Sequence, residues 1–210
     1  MESRREFAGA ARLSSYHARL GRVERIANRD AQVIDLQARD SFRYGYRLWL
    51  DKQTAFPLRI ALIGEGGAPL EQIAFTDLKL GFIPEESDLR ASTEQGLQRI
   101  QTLSPGPEVD PGWRVLDPPS GFSLRSARQL GGAVQLLYSD GLANVSVYIE
   151  PAPAGQRSES ALRRGAVNVH SIIQGGRRVV AIGKVPAATA AYFVRNAQTR
   201  LTPTSLQAKH

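Results

Sequence analysis

Apolar and polar residues alternate along much of this chain, and the alternation predicts antiparallel strands. Over residues 44–51 the apolar side chains stand at every second position, which is the period of a strand with two different faces. A polar turn separates this segment from residues 57–63. The glycines at 64–67 then precede a third apolar segment at 70–75, since glycine adopts positive φ without steric cost. We therefore predict an antiparallel meander whose inner face carries Tyr44, Tyr46, Leu48 and Leu50.

Two further strands are predicted before the meander, at residues 16–20 and 32–38. The first part of the chain is thus expected to form about five antiparallel strands between residues 16 and 80. Residues 85–103 are mostly polar, and we interpret them as a short helix followed by a connector.

The second half contains two hairpin signals and one helix signal. Residues 133–139 and 144–150 flank Asp140-Gly141, and residues 167–173 and 178–184 flank a turn with two glycines. Pro186 suits the first turn of a helix, and residues 187–200 carry apolar side chains at helical spacing. We predict a four-stranded antiparallel sheet closed by one helix.

A proline-rich segment and a change in charge mark the boundary between two domains. Residues 1–111 carry 15 Lys and Arg against 16 Asp and Glu, whereas residues 112–210 carry 12 against 4. The predicted division is a first domain at 1–103, a linker at 104–112 and a second domain at 113–210. Excess positive charge favours an acidic peptide, anionic lipid phosphates or nucleic acid as partner.

Motifs for catalysis and metal binding are missing from the sequence. There is no cysteine, and the three histidines, His17, His170 and His210, lack the spacing of a metal site. Phosphate-binding, dinucleotide-binding and serine-hydrolase motifs do not occur. We therefore expect neither an enzyme nor a cofactor or metal. No run of about 18 apolar residues is present, and residues 1–6 lack the apolar core of a signal peptide.

Three sequence blocks resemble one family. The first is YGYRLWLD at 44–51 with Thr54, Pro57-Leu58 and the LEQ of 70–72; the second is YSDGLANVSVYIEP at 138–151. The third runs from Gly165 to VPAATA at 185–190. In this order they resemble the RseB/MucB family of periplasmic regulators, whose large domain is similar to the lipoprotein carriers LolA and LolB. The resemblance covers about residues 16–197.

The family implies an α+β fold that is mostly antiparallel β. A partial LolA-like half-barrel sheet would be followed by a small antiparallel sheet domain with a C-terminal helix. The family begins with a signal peptide and a longer first domain, so we expect this chain to lack the family's N-terminal part. Asn28 and Ala55 stand where glycine is usual in family turns, and Ala55 is the less suited to positive φ.

For function, the resemblance implies a negative regulator of a sigma-E/AlgU-type stress response. Family members bind the periplasmic part of an RseA/MucA-type anti-sigma factor and protect it from proteolysis, while the large domain senses lipid or lipopolysaccharide. The expected location is the periplasm, and a homo-oligomer is compatible with the family. The alternative is a LolA/LolB-like lipid or lipoprotein carrier. Nucleic-acid binding is suggested only by charge, since no RNP, KH or helix-turn-helix pattern occurs.

Two sets of residues are candidates for binding. Arginine suits carboxylate and phosphate partners because its planar guanidinium donates two parallel hydrogen bonds. The candidates for contact with the anti-sigma factor or an anionic lipid are Arg125, Arg128, Arg163, Arg164, Arg177 and Arg178, with Arg157 and Lys184 nearby in sequence. The candidates for a lipid cavity are Tyr44, Tyr46, Leu48 and Leu50. A solvated basic surface and ordinary sheet packing are the respective alternatives.

Overall fold

The alternating segment at residues 44–51 forms the middle strand of a five-stranded antiparallel sheet, which confirms the predicted meander. The computed structural model describes residues 14–89, 110, 112–152, 155 and 158–199. The strands of the first sheet are neighbours in chain order. They are β1 (Tyr16–Ile26), β2 (Arg29–Ala38), β3 (Gly45–Asp51), β4 (Pro57–Ile63) and β5 (Pro69–Ala74). β1 is longer than predicted and continues through an irregularity between Leu20 and Val23.

The two faces of β3 are buried to different extents, and the more buried face is not the one that was predicted to face inward. Trp49 and Asp51 are 4% and 3% exposed, whereas Leu48 and Leu50 on the predicted inner face are only half-buried. The larger of the two buried clusters to which this sheet contributes therefore lies on the Trp49 side. It consists of Ala31, Val33, Trp49, Leu58 and Ala61.

Charged side chains cover Trp49 and explain this difference. Its indole Nε1 donates a hydrogen bond to Glu24 Oε2 at 2.8 Å. The Arg59 guanidinium lies 4.2 Å from the centroid of the ring, a cation–π contact. From the alternation of the sequence, the face with charged residues is expected to lie in solvent. Long charged side chains can nevertheless cover aromatic surface with their aliphatic parts and planar groups.

The turn between β3 and β4 is organised by one carboxylate. Asp51 accepts hydrogen bonds from the backbone N–H groups of Gln53 and Thr54 at 3.1 and 2.9 Å, and from Arg29 Nε at 2.6 Å. The hydrogen bond from Arg29, followed by those from Thr54 and Gln53, holds the pKa of Asp51 well below its usual range. The chain leaves this turn through Ala55 with φ of +58°, a left-handed conformation.

We expect that replacing Ala55 with glycine stabilises the protein by about 0.5–1 kcal/mol. Relief of left-handed strain contributes about 1–2 kcal/mol, and the greater freedom of glycine in the unfolded chain offsets about 0.5–1 kcal/mol of it. Urea denaturation of the two proteins measures the difference. Ala68→Gly is the control, since Ala68 lies in the next turn without positive φ and should lose stability. A neutral or destabilising Ala55→Gly would contradict the expectation.

The second sheet has six strands in the described residues rather than the predicted four. The strands are β7 (Ser123–Leu130), β8 (Ala133–Ser139), β9 (Asn144–Pro151), β10 (Glu159–Arg164), β11 (Val167–Gln174) and β12 (Arg177–Gly183). Their spatial order is β10-β11-β12-β9-β8-β7. The four predicted strands are the central ones, and the two additional strands, β7 and β10, are the edges.

One helix covers this sheet, and a short two-stranded sheet follows it. Helix α1 (Ala187–Arg195) begins after Pro186 as predicted but ends before residue 200. Asn196 ends it, with its backbone N–H and its side-chain amide both donating to the carbonyl of Tyr192. β13 (Ala197–Thr199) then pairs with β6 (Trp113–Val115).

The segment between the two sheets is described only in part. A 3-10 helix spans Glu86–Leu89 within the predicted helix and connector. Residues 90–103 and most of the predicted linker at 104–112 lie outside the described residues.

The main core lies between α1 and the second sheet. Phe193 is 0% exposed and packs edge-on against Phe122 and Tyr138, with ring centroids 5.5 and 5.3 Å apart. Around these rings stand valines from the central strands, Val145, Val147 and Val179, all 0% exposed. The central strands are therefore fixed by burial on the α1 side.

Candidate functional site

A buried ion pair joins the two sheets. Arg43, between β2 and β3, donates from Nη1 to Oδ2 of Asp140 at 2.5 Å, and both side chains are 0% exposed. The guanidinium also donates to Asp40 at 2.9 Å and to the carbonyl of Ser120. The hydroxyl of Tyr16 donates to the same Asp140 oxygen at 3.2 Å. We call these five residues the junction cluster.

Local structure places each charge of the junction cluster. Asp140 lies in the β8–β9 hairpin, where its Oδ1 accepts the N–H groups of Leu142 and Ala143 at 2.9 and 2.7 Å. Oδ2 is then left for Arg43 and Tyr16. Burial, and next the negative charge of Asp140, raise the pKa of the Tyr16 hydroxyl far above its usual value. Tyr16 therefore stays a neutral donor.

Gly121 allows the close approach of the two domains. Its φ is +86°, and a Cβ at this position would collide with the hydroxyl of Ser15 and lie 3.2 Å from Arg43 Nη1. Only glycine combines this backbone conformation with the available space.

Hydrogen bonds between uncharged groups and one surface ion pair also join the two halves of the molecule. Asn168 donates from Nδ2 to the Tyr44 hydroxyl at 3.1 Å and to the carbonyl of Val185 at 2.8 Å. The hydroxyl of Thr189 donates to the carbonyl of Phe42 at 2.9 Å. At the surface, Lys184 and Glu71 form an exposed ion pair of 2.5 Å. The contact between the two sheets therefore combines these hydrogen bonds and the exposed ion pair with an apolar cluster that contains Tyr44, Leu62 and Ala166.

The four lipid-cavity candidates do not share one environment. Tyr44 is 4% exposed and lies at the domain junction with Leu62 and Ala166. Tyr46 packs on the same cluster, and burial raises its pKa to about 12. Tyr44 and Tyr46 line a groove of about 610 Å³, whose described lining contains neither Leu48 nor Leu50.

Leu48 belongs to a row of aliphatic side chains that crosses the whole first sheet. Leu20 lies opposite Ile34, Ile34 opposite Leu48, Leu48 opposite Ile60, and Ile60 opposite Ile73. The two ends of the row, Leu20 and Ile73, are 79% and 71% exposed. We call these five residues the aliphatic row. It presents apolar surface at the face where the sequence placed a lipid cavity.

The six candidate arginines divide between the two faces of the second sheet. Arg163 and Arg164 end β10, and Arg177 and Arg178 begin β12, which places the pairs at opposite ends of β11. Because consecutive residues of a strand point to opposite faces, each pair supplies one arginine to each face. Arg128 lies in β7, and Arg125 at the irregularity of that strand. Arg178 pairs with Glu150, and Arg163 donates to the carbonyl of Gly165. Arg157 lies outside the described residues.

Several titratable groups in the described residues form ion pairs. No group of three or more His, Asp or Glu in this part of the chain could hold a metal ion. His170 Nε2 lies 2.7 Å from Glu159 Oε1, which also accepts from Arg195 at 2.9 Å. No helix in this part is long and apolar enough to span a membrane.

Sequence reasoning missed the junction cluster. Asp140 was recognised only as a hairpin residue, and a single arginine such as Arg43 carries no local signal of burial. Its partner lies 97 positions away. Gly121 is the one local sign of the junction in the sequence. It is ambiguous, because a glycine beside a proline-rich segment is equally typical of an ordinary turn.

The structure thus describes a protein with two main antiparallel sheets that are joined by a buried ion pair. Comparison with models of known protein families identifies the family to which the chain belongs. The MucB/RseB N-terminal domain family matches residues 3–93, and the MucB/RseB C-terminal domain family matches residues 107–198. The chain belongs to the MucB/RseB family.

Relatives and a solved structure agree with this assignment. The chain is 35% identical over 196 residues to the sigma factor AlgU regulatory protein MucB of Pseudomonas aeruginosa, covering 89% of this chain and 61% of that protein. It is 33% identical over 192 residues to the sigma-E factor regulatory protein RseB of Salmonella typhimurium, covering 85% and 58%. It thus spans about three fifths of these relatives.

Similarity in three dimensions extends over both domains. The complex structure of Pseudomonas aeruginosa MucA/MucB matches with a TM-score of 0.78 and 33% identity, covering 92% of this chain and 68% of that chain. The fold class predicted from the sequence, mostly antiparallel sheets with a C-terminal helix, is confirmed by the described residues and by this structure.

Proposed function

We propose that this chain is a negative regulator of a sigma-E/AlgU-type stress response, acting in the periplasm by binding the periplasmic part of an RseA/MucA-type anti-sigma factor. The observation that carries the proposal is the similarity of both domains to MucB as found in the MucA/MucB complex. The names of the relatives, regulators of AlgU and of sigma-E, support the same role. The role requires binding and no catalysis.

The charge of the second domain supports an acidic partner. Of the four acids in residues 112–210, three are already paired, with Arg43, Arg178 and Arg195. Among the described residues of this domain, Arg125, Arg163, Arg164 and Arg177 are exposed. Their positive charge attracts acidic segments over about a Debye length. Bound in this way, an anti-sigma segment would be protected from a protease.

The first sheet supports a lipid-sensing role for the same protein. The aliphatic row offers apolar surface to an acyl chain, and Leu48 and Leu50 of the sequence prediction lie on this face. A lipid that binds better when the anti-sigma factor is absent would release that partner, because a ligand shifts an equilibrium by its differential affinity for the two states. The same row favours a lipid carrier as the second candidate function.

The proposal predicts salt-sensitive binding of the anti-sigma segment. The chain should bind the periplasmic segment of the RseA/MucA-type anti-sigma factor of its own organism, measured by isothermal titration calorimetry. Affinity should fall at least tenfold between about 0.01 M and about 0.15 M salt, where the Debye length shortens from about 30 Å to about 8 Å. The bound segment should also resist its site-1 protease.

A peptide of the same composition in shuffled order is the matched control, since it keeps the charge and loses the sequence. Equal affinity for both peptides would contradict a specific regulator. Failure to bind the segment, together with binding of a fluorescent fatty-acyl probe, would favour the lipid carrier.

A further inference from the structure

The loop between β2 and β3, residues 39–44, places two consecutive side chains in the second domain. Phe42 packs against the buried cluster between α1 and the second sheet. The side chain of Arg43, which follows it, is 0% exposed. A loop of the first sheet therefore completes the core of the second domain.

The partners of Arg43 in the second domain form what we call the arginine pocket. It consists of the Asp140 carboxylate, the Ser120 carbonyl oxygen and the ring of Phe122. The two oxygens accept hydrogen bonds from different guanidinium nitrogens, and Cζ of the guanidinium lies 4.9 Å from the centroid of the ring. A planar cation with several fixed donors satisfies all three groups at once, which a lysine ammonium does not.

Helix α1 supplies the contacts to the residue before the arginine. The hydroxyl of Thr189, which is 0% exposed, donates to the carbonyl of Phe42 at 2.9 Å. The ring of Tyr192 lies edge-on to the Phe42 ring with centroids 5.5 Å apart. The second domain therefore contacts an aromatic residue and an arginine that follow each other in the chain.

Contacts within the second domain hold these groups in position. Asp140 Oδ1 accepts two N–H groups of its own hairpin. The ring of Phe122 packs edge-on against Phe193, and the hydroxyl of Tyr192 donates to the carbonyl of Asp117 at 2.7 Å. These contacts do not involve residues 39–44, so the arginine pocket is preorganised for its ligand.

The loop is preorganised as well. Asp40 Oδ1 accepts the N–H of Phe42 at 2.9 Å and Nε of Arg43 at 3.0 Å. Oδ2 of the same carboxylate accepts from Nη2 of Arg43 at 2.9 Å. A peptide of residues 40–44, Asp-Ser-Phe-Arg-Tyr, contains this carboxylate together with both side chains that enter the second domain.

We infer that the second domain carries a binding site for an aromatic–arginine dipeptide, and that Phe42 and Arg43 of the same chain occupy this site as an internal ligand. The inference goes beyond the proposed function and involves no anti-sigma factor. A tethered ligand has an effective concentration of about millimolar when its connection is short and flexible. The site is therefore closed to dilute peptides until the loop leaves it, and it then accepts a peptide with the same two side chains.

Removing the internal ligand should open the site. We expect a fluorescein-labelled peptide of residues 40–44 to bind the chain with Phe42→Ala and Arg43→Ala at least tenfold more tightly than the unsubstituted chain, as measured by fluorescence anisotropy. The matched control is the same peptide with citrulline in place of arginine, because citrulline keeps the shape of the side chain and lacks its charge. It should bind at least tenfold more weakly, since it leaves the buried Asp140 carboxylate without a cation.

Thermal unfolding tests the same site if the doubly substituted chain is unstable by itself. The arginine peptide should raise the Tm of this chain, or restore a cooperative transition where there is none, because a ligand of the native state stabilises it. The citrulline peptide should do neither. Adding Asp140→Asn to the doubly substituted chain should remove the difference between the two peptides.

Three results would overturn the inference. One is equal affinity of the arginine and citrulline peptides for the doubly substituted chain. Another is equal affinity of the arginine peptide for the doubly substituted and unsubstituted chains, which would place the peptide outside the arginine pocket. The third is a lack of both binding and thermal stabilisation by the arginine peptide. Each would leave the proposed function standing, since these measurements contain no anti-sigma segment.

Discussion

Replacing Arg43 with methionine is expected to lower the free energy of unfolding by about 3–5 kcal/mol. The substitution leaves Asp140 without its cation at a site where both side chains are 0% exposed, and an uncompensated buried charge costs about that much. The carbonyl of Ser120 and the carboxylate of Asp40 lose donors at the same time. Urea denaturation followed by circular dichroism measures the loss.

Two further variants identify the cause. Arg43→Met combined with Asp140→Asn removes both charges and keeps an acceptor for the hairpin N–H groups, so we expect it to recover about half of the loss. Arg47→Met breaks an exposed pair with Asp35, whose side chains are 47% and 37% exposed. It should cost about 1 kcal/mol or less. If Arg43→Met cost no more than Arg47→Met, the junction would not depend on this ion pair.

The second large effect is expected for Phe193→Ala, which should cost about 3–5 kcal/mol. The ring is 0% exposed and contacts two other rings at 5.3 and 5.5 Å. Removing it leaves a cavity between α1 and the central strands, and the aromatic pairs are lost as well. Urea denaturation gives the free energy, and near-ultraviolet circular dichroism reports the loss of packing around Tyr138.

Arg195→Ala is the control on the same helix. Its side chain is 61% exposed and pairs with Glu159 at the surface, so the cost should stay below about 1 kcal/mol. A loss of similar size in both variants would mean that α1 is stabilised by its own sequence and not by burial against the sheet.

Sequence alone predicted the strands whose signals are local. Asp140-Gly141 and the Gly175-Gly176 turn fixed two hairpins, and the meander around β3 followed from alternation. β7 and β10 were missed because both are edge strands with mostly exposed side chains, which removes the apolar alternation. The face of β3 was misjudged because Trp49 is covered by charged residues.

Candidate sites were harder to predict than strands. The candidate arginines were grouped because they all belong to the basic second half of the chain. Arg163 and Arg164 are consecutive in one strand, and Arg177 and Arg178 are consecutive in another. The two members of each pair therefore point to opposite faces of the sheet. The junction cluster depends on contacts between residues 97 and 124 positions apart. No local pattern encodes such contacts.

The separation of Arg43 and Asp140 also implies an order of events during folding. The five strands of the first sheet are neighbours in chain order, so each of their pairings closes only a short loop. Arg43 and Asp140 are 97 positions apart. Contacts so distant in sequence form late, because a long loop must close first. The docking of the two domains, and not the formation of either sheet, is then the step that completes the native protein.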